Sequence, residues 1–162
     1  MNPRDIEIQI PEGTIAARRW GEPGGAPVMA AHGWLDNAAT FERLAPRLEG
    51  FDLVAFDFPG HGQSDHRPAG SAYHFADWIP VFFDIADALG WERFSILAHS
   101  MGAAAASLAA GVDPQRIRRM ALIDGFGPWT TPAEDAPSQF REGLTERKTI
   151  LSKESRRYRS RD

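Results

Sequence analysis

Ala98-His99-Ser100-Met101-Gly102 is the stretch of the chain best suited to chemistry. It follows the apolar run 94–98 and opens the small-residue run 101–110, so a buried strand should turn directly into a helix at Ser100. A serine on so sharp a turn projects its hydroxyl above the sheet, where a base and a substrate carbonyl can both reach it. This is a nucleophile elbow with Ala98 in the first glycine position. The tight turn calls for small neighbours, and Ala98 and Gly102 are expected to approach each other closely. The new helix aims unpaired amides and the positive end of its dipole at the same place, which favours an oxyanion beside Ser100 with the Met101 N–H as one donor. The plainer reading of these residues is a serine capping an alanine-rich helix.

Two further motifs stand at the ends of the two preceding strands. His32-Gly33-Trp34 follows the apolar run 27–31 and offers a turn from which the Trp34 N–H can supply a second oxyanion donor. His32 is better read as fixing this turn by hydrogen bonds than as a catalytic base. The second motif is Asp57-Phe58-Pro59-Gly60-His61-Gly62-Gln63-Ser64-Asp65. Its Asp57, His61 and Asp65, with His66, have the chemistry of metal ligands, but Pro59 and the two glycines are better explained as turn-makers in a rigid loop. No metal is expected. Ligands of open α/β sheets bind at the carboxyl ends of strands, so all three motifs should converge on one edge.

The elements that must position these residues are legible from periodicity. Residues 6–10 alternate apolar and polar and should pair with 14–20 as a hairpin across Pro11-Glu12-Gly13. The short apolar runs 27–31, 51–56, 94–98 and 120–123 read as inner strands buried on both faces. A helix is expected over 38–48, capped by Asp36 or Asn37, burying Phe41, Leu44, Ala45 and Leu48 and stopped by Gly50. After a polar loop reaching residue 72, a second helix should bury Ile79, Phe82, Phe83, Ala86 and Leu89 and end at Gly90. Asp77 is its expected cap, which leaves Pro80 tolerable in the first turn. A third helix over 101–110 should close at Gly111. Strand and helix alternate from Val28 to Ile123, which implies an α/β fold with a mostly parallel sheet and helices on both faces.

Composition narrows the function further. The 162 residues contain no cysteine, which excludes a thiol nucleophile, Cys-ligated zinc and disulfides together. A net charge of −4 gives no attraction to nucleic acid or to anionic membranes. The start of the chain has no apolar core after Arg4, so a cytoplasmic protein is expected. Residues 94–112 lack charged side chains over a membrane-spanning length, but their serines, glycines and alanines argue against a span. After Gly127 the texture changes: Pro128, Pro132 and Pro137 punctuate a linker, and a charged stretch begins at Gln139. A core part over 1–127 and a second subdomain over 128–162 are therefore expected. The basic run 156–161 is read as a solvated face rather than a nucleic-acid tail.

With its three motifs in this order, the chain resembles the α/β-hydrolase superfamily from about residue 5 to Gly127. His32-Gly33-Trp34-Leu35-Asp36-Asn37 and residues 94–100 are most similar to its serine-hydrolase-like proteins. The resemblance implies an acyl hydrolase without a cofactor, acting on a small-molecule ester or related substrate. In it Ser100 is the nucleophile, the Trp34 and Met101 amides are oxyanion donors, and His32, Gly33, His99 and Gly102 support the site. It also implies a helical cap inserted after strand 120–123. Asp124, at the end of that strand, is a candidate orienting acid or a turn residue. The departure lies in the base: the superfamily order is Ser, then Asp or Glu, then His, yet the five histidines are His32, His61, His66, His74 and His99. The chain therefore reads as the N-terminal part of a longer protein, inactive alone. The alternative is a non-catalytic small-molecule binding or interaction domain on the same fold. Substrate identity and oligomeric state are left open.

Overall fold

The computed structural model describes residues 2–68 and 71–151. The chain divides into two compact units, Met1–Pro128 and Trp129–Asp162.

The first unit is built on six strands: β1 (Arg4–Ile10), β2 (Gly13–Trp20), β3 (Ala26–Ala31), β4 (Phe51–Phe56), β5 (Phe94–His99) and β6 (Ile117–Ile123). Their order across the sheet is β1-β2-β4-β3-β5-β6. The β1–β2 hairpin is antiparallel and β2 pairs antiparallel with β4, while β4, β3, β5 and β6 run parallel. Helix α1 (Trp78–Ala88) lies between β4 and β5, and α2 (Met101–Val112) between β5 and β6.

Alternation along the inner strands sends successive side chains to opposite faces. Met29, Ala31, Val54, Phe56, Ile96 and Ala98 face the larger core, which contains the buried sides of α1 and α2. Val28, Ala30, Leu53, Ala55 and Leu97 face a smaller core closed by Trp20, Phe41 and Ala45. That two-sided burial is why these strands read as continuous apolar runs. Between β2 and β4, Arg19 clamps the buried Asp52 with two bonds of 2.6 Å, and this pairing raises the Arg19 pKa.

Several local expectations are corrected. Residues 38–48 do not form an α-helix but two 3-10 turns, Ala38–Phe41 and Ala45–Arg47. Pro46 has no N–H to give Glu42, and the bonds here run three residues back, as from Leu44 to Phe41 and from Leu48 to Ala45. The expected face survives: Phe41 and Ala45 are buried and Leu44 and Leu48 pack against them. Of the two expected caps, Asn37 accepts the Ala39 N–H at 2.9 Å.

Asp77 does not cap α1. Its carboxylate accepts the His74 N–H at 2.9 Å and closes a capping box around the 3-10 turn Phe75–Asp77, in which it is itself helical. The buried face of α1 centres on Val81, Phe82 and Ile85, with Ile79, Phe83 and Leu89 at its margins. Helix α2 runs through Gly111 to Val112. Strand β6 is not an inner strand among the described residues; it forms the sheet's edge, with Met120 and Ile123 39% and 45% exposed. Gly102 sits close against the end of β3. A Cβ on Gly102 would lie 2.6 Å from the carbonyl oxygens of both Ala31 and His32.

In the second unit, a 3-10 turn Ala133–Asp135 leads into α3 (Ala136–Leu151), with Phe140 and Leu144 exposed. The basic run 156–161 lies outside the described residues. Among those residues no helix is long and apolar enough to cross a membrane.

Candidate active site

Strand β5 ends at His99 and α2 begins at Met101, so Ser100 alone carries the reversal of the chain. Its backbone has φ +49° and ψ −114°, a conformation that side-chain-bearing residues rarely adopt and that stores roughly 1–3 kcal/mol. The Ser100 N–H donates to Ile123 O at 2.9 Å, which ties the turn to β6. Although Ser100 occupies the N-cap position, its side chain makes no capping bond. The hydroxyl meets no hydrogen-bond partner among the described residues.

The turn after β3 packs directly against this elbow. A methyl group placed on Gly33 would lie 3.4 Å from Ser100 Cβ and 3.0 Å from His99 Nδ1. Asp36 closes the turn by donating its N–H to Gly33 O at 3.3 Å, with Leu35 at φ +55°. Neither the Trp34 nor the Met101 N–H is hydrogen-bonded among the described residues. Burial opposes ionisation of Asp36, but the Thr40 hydroxyl, the Asn37 amide and the imidazoles of His32 and His99 outweigh it. Its carboxyl is held below the usual range.

His32 is wholly buried and spends both ring nitrogens on the scaffold. Nδ1 donates to Gly33 O at 2.7 Å, and Nε2 accepts the Phe58 N–H at 3.1 Å. This joins the β3 turn to the β4 loop and leaves neither nitrogen for Ser100. Burial is the main reason the His32 pKa is lowered, and the neutral ring is the form these two bonds require.

The β4 loop is stapled throughout. Asp57 Oδ1 accepts the Ala38 N–H at 2.6 Å and Oδ2 accepts the Gln63 N–H at 2.8 Å. Gly62 is required beside it, since a Cβ there would fall 1.9 Å from Asp57 Oδ2. Ser64 donates to Asp57 O and accepts the Ala16 N–H, and Asp65 bonds Thr14 through both backbone and carboxylate. The carboxylates of Asp57 and Asp65 thus hold the loop to β2 and to the 3-10 turn at Ala38. No group of three or more His, Asp or Glu side chains is placed to hold a metal among the described residues.

On the other side of Ser100, Asp124 directly follows β6 with φ +51° and is exposed. Its carboxylate has no hydrogen-bond partner among the described residues. The following Gly125 packs on the elbow, where a Cβ would lie 2.8 Å from Ser100 O. His99 is half-buried, with Nδ1 unpaired beside Gly33. The structure therefore brings His32, Gly33, His99, Gly102 and the Asp124–Gly125 turn around Ser100 but bonds none of their side chains to its hydroxyl. Spacing alone missed the side chains that brace the Trp34 turn. His61 and Trp78, remote in sequence, both touch the Trp34 ring.

Comparison with known proteins agrees with this geometry. A family model described as alpha/beta hydrolase fold matches residues 26–154. A serine hydrolase-like protein of Danio rerio is 36% identical over 143 residues, which cover 88% of this chain and 44% of that protein. A serine hydrolase-like protein of Homo sapiens is 40% identical over 121 residues, covering 74% of this chain and 60% of that protein. The solved structure of a hypothetical protein from Pseudomonas aeruginosa PAO1 superposes with a TM-score of 0.90 at 46% identity, covering 98% of this chain and 56% of that one. The chain spans less than two thirds of the length of each of these relatives. A sharp turn at Ser100 between β5 and α2 of a mostly parallel sheet, together with a family match over most of its length, makes this chain a member of the alpha/beta hydrolase fold family.

Proposed function

We propose that the protein is a serine hydrolase acting on a small-molecule ester or related acyl substrate through an acyl-enzyme. The observation that carries this reading is the strained backbone of Ser100, with its unbonded hydroxyl, against the Gly33–Asp36 turn. Ser100 Oγ attacks the substrate carbonyl and loses its proton to a base, and the carbonyl oxygen becomes an oxyanion. The Trp34 and Met101 amides donate to that oxyanion, each worth roughly 3 kcal/mol of transition-state stabilisation. The bond to the leaving alcohol then breaks as the alcohol takes up the proton. Water attacks the acyl carbon in turn, releasing the acid and restoring the Ser100 hydroxyl.

The base is the part this chain does not carry in the order of the fold, since no histidine follows Ser100. His32 is committed to Gly33 and Phe58. In this reading a histidine from the longer chain of such relatives serves as base, with Asp124 or a later carboxylate orienting it, and residues 1–162 alone should turn over little. Residues 1–127 act as the N-terminal part of the hydrolase core, and residues 128–162 open its cap.

A fluorophosphonate probe tests the proposal. It should label Ser100 in the whole protein and fail to label the Ser100→Ala variant. Absent labelling of the active-site serine would favour a binding domain instead.

A further inference from the structure

Three of the four buried side-chain nitrogens without a partner among the described residues surround the Trp34 turn. They are His61 Nε2, Trp78 Nε1 and His99 Nδ1; the fourth is Trp20 Nε1. Buried polar atoms are ordinarily paired, so such clustering sets the wall behind the Trp34 turn apart from the rest of the core. The wall has a defined shape. The Trp34 ring stands 5.5 Å from His61 at 75° and 5.9 Å from Trp78 at 58°, and those two stand 6.0 Å apart at 72°. His61 and Trp78 are 8% and 5% exposed, whereas Trp34 is 60% exposed. The indole is thus braced on one side and open on the other.

Its position gives the open side a use. Gly33, one residue earlier, packs against Ser100 Cβ, and the Trp34 amide belongs to the same turn. An acyl carbon bonded to Ser100 therefore sits beside the turn that carries the indole.

Resting on the serine-hydrolase reading, we propose that Trp34 is a specificity-determining residue for an aryl-acyl substrate, such as a phenylacetyl ester. His61 meets both indoles edge to face while the two indoles are tilted to each other, and another aromatic ring continues that arrangement. Edge-to-face contact adds an electrostatic attraction beyond the area buried, which a saturated ring of equal size does not gain. The wall therefore selects for aromatic character rather than bulk.

The test compares 4-nitrophenyl phenylacetate with 4-nitrophenyl cyclohexylacetate on the whole protein. The two share a leaving group and a ring size. The ratio of their kcat/KM values should favour phenylacetate roughly three- to tenfold. Trp34→Phe should keep that preference and Trp34→Leu should bring the ratio close to one. A general loss of rate cancels in the ratio, so the readout reports on the ring and not on the oxyanion amide. Equal rates in the wild type, or an unchanged ratio in Trp34→Leu, overturn the inference while leaving a serine hydrolase in place. Labelling of Ser100 with neither ester turned over also overturns it. Failure of both labelling and turnover removes the underlying reading as well.

Discussion

Phe58 donates its backbone N–H to His32 Nε2 across 3.1 Å, so an imidazole at the end of β3 holds the loop that follows β4. The bond exists only while Nε2 is unprotonated. Protonation would break it and leave a buried positive charge beside the Phe58 amide.

The first prediction is a pH dependence of stability. Burial holds the His32 pKa below its ordinary value of 6.5, so the unfolded state binds the proton more readily. The stabilisation from His32 is therefore complete above pH 6.5 and is lost as pH falls from there through the folded-state value. Denaturant midpoints of the whole protein, measured from pH 8 to pH 5, should fall more steeply for the wild type than for His32→Phe. Parallel curves for the two proteins would count against this role.

Ser100 separates stability from chemistry. Ser100→Gly should be more stable than Ser100→Ala by about 1 kcal/mol, because glycine relieves the φ of +49° whereas alanine keeps the strain. Neither should react with a fluorophosphonate. Thermal melts of the two variants decide the matter, and a less stable glycine variant would mean that the turn carries no strain.

Two glycines of the same helix should respond in opposite ways. Gly102→Ala forces a Cβ onto two backbone carbonyls of the β3 turn and should cost about 2–3 kcal/mol. It should also slow probe labelling at least tenfold by shifting the Met101 amide. Gly111→Ala meets nothing within 4 Å and should gain up to about 1 kcal/mol from helix propensity. Urea unfolding and labelling rates of both variants check the pair, and similar effects would refute the packing account of Gly102.

The Arg19–Asp52 clamp yields a double-mutant prediction. Asp52→Asn leaves the guanidinium beside a buried amide and should cost about 2–4 kcal/mol, whereas Arg19→Met with Asp52→Asn should recover a substantial part of that loss. Strictly additive losses in equilibrium unfolding would show that the pair is not coupled.

The sheet and the elbow were legible because their signals are local. Short apolar runs mark β3, β4 and β5, and Ser100 falls where one such run meets a run of small residues. The segment 38–48 misled because a 3-10 turn and an α-helix can bury the same four residues. The discriminating sign was Pro46, whose missing N–H falls in the interior of the segment and not in its first turn. Asp77 misled for a different reason: two backbone amides compete for a carboxylate, and spacing does not say that His74 wins. The rank of β6 depends on what pairs beyond it, which no run of four apolar residues encodes. The wall formed by Trp34, His61 and Trp78 joins three segments that only the fold brings together, so no pattern in the chain announces it.

Asp57 and Gly62 illustrate how such a loop constrains sequence drift. The Asp57 carboxylate already fills the volume that any side chain at position 62 would need. Substitutions at the two sites are therefore ordered in time: a lineage must first give up the carboxylate, and its bonds to Ala38 and Gln63, before position 62 can acquire a Cβ. The intermediate in that exchange is the least stable form, so the pair should persist or disappear together.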